Sequence, residues 1–122
     1  MMHRHGKVSP MWRGFFWAAC LFNLLIGIGA MLSPEASVDA RIVGVLVLGF
    51  GVVYLQVARD PMRFAPVLWA GVLGKLGVVG LLGPAALGED GSAGVAAILA
   101  GDLLFALGFL AFLFTAGESA RN

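Results

Sequence analysis

The sequence predicts an all-α protein, an antiparallel four-transmembrane-helix bundle forming a single domain over residues 1–122. Three observations carry that prediction. Hydrophobic residues make up 60% of the chain and charged residues only 12%, against about 45–50% and about 25% in an ordinary soluble domain. The mean hydropathy is +0.94. The apolar residues also collect in four stretches, each near the roughly 20 residues that a helix needs to span a bilayer. A soluble fold of this composition exposes large apolar patches, whereas a bilayer solvates them. The four stretches lack the alternating polarity of barrel strands, and lipid tolerates no unpaired backbone, so helices are the solution left.

The first span is expected from about Trp12 to Leu32. Its apolar run, Phe15 to Leu32, is longer than the roughly 7–15 residues of a secretory signal core, which argues for a retained helix. Ala18-Ala19-Cys20 faintly resembles a lipoprotein site, but Trp17 stands where a Leu-like residue is wanted, so Cys20 reads as a small buried hydrophobe. The second span is expected over 34–58, with Ser33 as cap, Pro34 in the first helical position and Glu35 at the positive end of the helix dipole. Arg59-Asp60-Pro61 breaks it. The third span covers about 66–82 and ends at Gly83-Pro84. Glu89-Asp90-Gly91-Ser92 forms a turn with caps for the fourth span, about 92–115. Such short connections make neighbouring helices antiparallel.

Basic residues set an orientation. Arg4, Lys7, Arg13, Arg59, Arg63 and Arg121 fall on one side, while Glu35, Asp39, Glu89 and Asp90 fall on the other with Arg41 alone among them. Loops rich in Lys and Arg stay in the cytoplasm, which predicts a multi-pass inner-membrane protein with both termini cytoplasmic. Trp12, Trp17 and Trp69 lie near helix ends on the basic side, where indole rings anchor at the interface. The 18 glycines include Gly71, Gly74, Gly77 and Gly80 at every third position, and the heptad pairs Gly44/Gly51 and Gly101/Gly108. Small residues let membrane helices approach closely, first within the chain and alternatively across a homodimer face.

Several functions find no support. A net charge of +1 gives no footprint for nucleic acid. One cysteine cannot form an internal disulfide. His3 and His5 lack partners at metal-ligand spacing, and no nucleophile–base pair or phosphate-cradling glycine loop occurs. No catalytic residue, metal ligand or cofactor is therefore assigned.

One constellation remains. Charged residues inside spans are expensive, about 2.5–3.5 kcal/mol even on mild insertion scales, so they face inward, find partners and mark function. Lys75 and Asp102 lie inside the third and fourth spans, Arg41 two turns into the second, and Asn23 in the first. Counted from the expected outer ends, Arg41, Lys75 and Asp102 are each seven residues in and Asn23 is nine, about 10 Å or a little more. Asp102 is expected to neutralise Lys75, Arg41 or both, leaving one surplus positive charge. Such a pocket suits a small amphipathic or anionic molecule, lipid- or quinone-like, with Tyr54 lining an inner mouth. Two other readings stay open. The charges lock helix register in a structural subunit packed on a partner membrane protein, or the chain is a minimal dimeric transporter.

Arg41-Ile42-Val43-Gly44 leading to Gly49-Phe50-Gly51-Val52-Val53-Tyr54, the loop Ala58-Arg59-Asp60-Pro61-Met62-Arg63, and then Gly74-Lys75 and Gly101-Asp102 form a pattern across most of the chain. It resembles the small bacterial four-helix membrane proteins of the DoxX-like kind. The resemblance implies a fold more than an activity. Some members are linked to quinone or thiol redox partners, and the absence of a paired-cysteine motif here speaks against a direct thiol role.

Overall fold

A computed structural model describes residues 8–116. His3, Arg4, His5, Lys7 and Arg121, used above for the charge asymmetry and the metal argument, lie outside the described residues. Among the described residues every regular element is helical, and four helices are long and apolar enough to cross a bilayer. The chain is built as a small multi-pass membrane protein. It forms two compact units, described in turn, with a boundary at Ala65/Pro66.

The first unit holds α1 (Pro10–Leu32) and α2 (Val38–Arg59), followed by a single turn, α3 (Pro61–Phe64). Ser9 caps α1, its Oγ accepting from the Met11 amide at 3.1 Å, and Pro10 supplies a preset first turn. Ser33 does not start α2. Its own amide donates to the Gly29 carbonyl and closes α1, while Pro34 and Glu35 occupy the turn. Ser37 is the true cap, its Oγ accepting from the Ala40 amide at 3.1 Å, with Asp39 in the first turn. The correction has a simple cause. Ser33 and Ser37 both carry capping chemistry, and the α1 ladder runs one residue beyond Leu32 before Pro34 stops it.

Glycines bring α1 and α2 together along antiparallel paths. A Cβ on Gly27 would lie 2.7 Å from the Gly44 carbonyl oxygen, and one on Gly44 would lie 2.9 Å from the Gly27 oxygen. The two glycines thus mark a backbone-to-backbone crossing, and Gly51 adds a second close approach against Leu24 and Asn23. Phe16, Ala19, Cys20, Tyr54, Val57 and Ala58 are buried, Cys20 as the small apolar side chain expected.

The second unit holds α4 (Leu68–Ala86) and α5 (Ala93–Ala111), the latter ending in a wider π-helical turn over Phe112–Ala116. The expected break around Asp60 shrinks to one residue, because Pro61 starts a new helical turn instead of ending structure, and a short 3-10 turn, Ala65–Val67, runs on into α4. Gly83-Pro84 does not stop α4 either; the helix continues to Ala86 with Pro84 inside it, as membrane helices tolerate. Gly91 is required in the following turn, since a Cβ there would fall onto the Ala86 carbonyl. Ser92 caps α5 through an Oγ that accepts from the Val95 amide at 3.3 Å. At the far end of this antiparallel pair Trp69 meets Phe114 edge to face, with centroids 5.6 Å apart.

Large apolar side chains face outward on all four helices, among them Leu25, Leu46, Leu73, Leu81 and Leu104. In water this surface would aggregate. Gly74, Gly77 and Gly80 belong to it. Within this unit nothing stands within 4 Å of a Cβ on any of the three, so they form no seam between α4 and α5, whereas Gly71 of the same series is buried.

Candidate functional site

Lys75 is the most deeply placed cation of the described residues. It sits on α4 eleven residues from Ala86, and Asp102 sits on α5 nine residues from Ala93, about 16 and 14 Å along their helices. Antiparallel packing brings the two side chains together: Lys75 Nζ donates to Asp102 Oδ1 at 2.8 Å, with side-chain exposures of 5% and 14%. The distance is that of a charge-assisted bond. The ammonium also lies 5.7 Å from the centroid of the Phe105 ring, a cation–π distance. Phe105 is three residues beyond Asp102 and therefore on the same face of α5, which is why one ammonium meets both. Apart from these groups, α4 and α5 are almost wholly apolar, so the ion pair stands in low-dielectric surroundings.

Arg41 behaves differently. Because α2 begins at Val38, Arg41 is three residues in, about 5 Å, and not two turns deep. It is exposed, and its guanidinium donates to the Ser33 carbonyl at 3.0 Å and to the Ala36 carbonyl at 3.3 Å. It ties the α1–α2 loop to the start of α2.

Asn23 is nine residues from Leu32 and 5% exposed. Its Nδ2 donates to the Val47 carbonyl at 3.0 Å, a helix-to-helix bond beside the glycine crossing. Tyr54 is 1% exposed and lies 6.2 Å from Phe50, one turn earlier on α2. It is enclosed, where a lining residue of an open mouth would be wet. Among the described residues no buried side-chain nitrogen or oxygen lacks a hydrogen-bond partner. Nor do three metal-ligating side chains come together among them.

Two participants escaped sequence reasoning. Phe105 is legible only once Asp102 is taken as a reference and the i+3 neighbour is read. Arg13 donates to the carbonyls of Ala58 and Arg59 at 3.2 and 3.1 Å, closing the end of α2. The signal for that was an arginine in the first turn of one helix facing the last turn of the next.

No family model, curated protein or solved structure matches the chain.

Proposed function

We propose that this is a bacterial inner-membrane protein of the DoxX-like kind, with both termini cytoplasmic, whose Lys75–Asp102 pair receives a small amphipathic or anionic molecule, lipid- or quinone-like. The observation that carries the reading is the 2.8 Å ion pair between two otherwise apolar helices. Well-packed apolar residues hold such helices together at least as well as an ion pair does, because burying two charges is costly. What an ion pair adds in that place is a donor and an acceptor. An ammonium has three N–H groups and turns about its last bond, so Lys75 can present one to a carbonyl or carboxylate oxygen while it keeps Asp102. The acyl or isoprenoid part of such a molecule then lies against the apolar helix surface. Asn23, Arg41 and Tyr54 belong to the first unit, and this reading rests on the Lys75–Asp102 pair alone.

The competing reading is a register lock in a structural or accessory subunit. What favours it is that the buried polar side chains among the described residues are all satisfied without a ligand. Titration with two probes separates the readings. A short-chain benzoquinone and a medium-chain fatty acid are added to the full chain in nanodiscs, and tryptophan fluorescence is followed. Saturable binding of at least one probe, lost in Lys75→Met with helicity retained, is the expected outcome. Identical titrations of wild type and variant contradict the proposal.

A further inference from the structure

The end of the α1–α2 pair opposite the Ser33–Ser37 loop gathers positive charge. Arg13 reaches from α1 to the last carbonyls of α2, which sets it beside Arg59, the final residue of that helix. Arg63 follows on α3, exposed, with its guanidinium carbon 5.2 Å from the centroid of the Phe64 ring. Arg59 is exposed as well. Asp60 is the one acid in residues 40–65. Among the described residues no carboxylate stands within ion-pairing distance of Arg13, Arg59 or Arg63. Next to Arg13 is Trp12, half-buried and stacked on Phe16 with centroids 6.0 Å apart. An indole in the first turn of a membrane helix sits at headgroup level. The opposite end carries Glu35 in the loop and Asp39 in the first turn of α2, and its arginine, Arg41, is held on carbonyls.

We infer that this end is a binding site for the headgroup of an acidic phospholipid in the adjoining leaflet. Guanidinium groups are planar forks that match phosphate oxygens in pairs. Basic clusters at a helix end draw anionic lipid in proportion to their Lys and Arg count. Arg13 supplies a positive charge fixed in place by its carbonyl contacts, and Arg59 and Arg63 are the exposed arms that close on the phosphate. A zwitterionic headgroup brings its own cation into the same space and is disfavoured. Lipid binding here is independent of the Lys75–Asp102 pair.

The test uses the full chain in detergent with equimolar dioleoyl phosphatidylglycerol and dioleoyl phosphatidylcholine, read by native mass spectrometry. Wild type is expected to retain the acidic lipid over the zwitterionic one by about tenfold, given two mobile arginines and partial screening. In R59Q/R63Q the preference falls to about twofold, and in R63Q alone to an intermediate value, with helical content unchanged. R41Q keeps the wild-type preference. Equal retention of both lipids by wild type overturns the inference. So does a preference that survives in R59Q/R63Q or disappears in R41Q.

Discussion

Replacing Gly27 by alanine is the sharpest perturbation of the α1–α2 crossing. The added methyl would stand 2.7 Å from the Gly44 carbonyl oxygen and 2.7 Å from the Leu48 amide nitrogen, where ordinary contact begins at 3.4 Å. Both neighbours are backbone, so no side chain can turn away, and the helices must part by about 0.7 Å, the difference between those distances. Overpacking of this kind costs about 1–3 kcal/mol, and the backbone case belongs in the upper half of that range. At Gly77 nothing stands within 4 Å of the same methyl, and the better helix propensity of alanine stabilises by up to about 1 kcal/mol. The two alanine variants should therefore differ by about 3 kcal/mol, two decades in the unfolding equilibrium. Gly44→Ala falls between them, because one of its three close neighbours is the adaptable Met31 side chain. Gly51→Ala is milder still, as its closest neighbour is a Leu24 methyl. Steric-trap or denaturant unfolding in bicelles measures the series. Equal stability of Gly27→Ala and Gly77→Ala would refute the crossing.

Three further outcomes are expected. Arg13→Gln removes both bonds to the α2 carbonyls, which come from one terminal nitrogen, and lowers unfolding stability by about 1 kcal/mol, while Arg13→Lys, whose ammonium also carries more than one N–H, recovers part of it; unchanged midpoints in both contradict the clamp. Asn23→Leu, which loses the bond to Val47, costs no more than about 1 kcal/mol, the scale of interhelical hydrogen bonds in membranes, whereas Asn23→Asp aims a carboxylate at that carbonyl and costs clearly more in the same assay. Lys75→Met strands Asp102 among apolar helices and costs about 3 kcal/mol, and adding Asp102→Leu restores most of that loss; a double variant no more stable than the single one argues against a direct pair.

Fold class was legible because lipid leaves few options. Four apolar runs of the right length admit little besides helices, and the structure has them. The ends were harder. Ser33 and Ser37 both have capping chemistry, and only the course of α1 decides between them. Pro61 and Pro84 read as breakers in the sequence, yet one opens a helix and the other rides inside one, since proline is harmless in a first turn and tolerated in membrane helices. The Lys75–Asp102 contact was expected from a depth of seven residues each, and it forms although the observed helix ends put the two eleven and nine residues in. Arg41 does not fit the same count, since its depth depended on where α2 starts. Glycine spacing alone could not tell a packing face from a bare one. Gly44 meets its partner helix α1, while within its own unit Gly74 meets nothing within 4 Å, a difference set by helix rotation, which no spacing within one helix reveals.

If Lys75 and Asp102 serve a ligand, and stability alone does not require them, removing both must also remove the ligand. Native mass spectrometry of the full chain, extracted with its native lipids, compares wild type with Lys75→Met/Asp102→Leu at matched stability. A bound small molecule on wild type that is missing from the apolar double variant is the expected result. The same adduct on both proteins, or none on either, would contradict it.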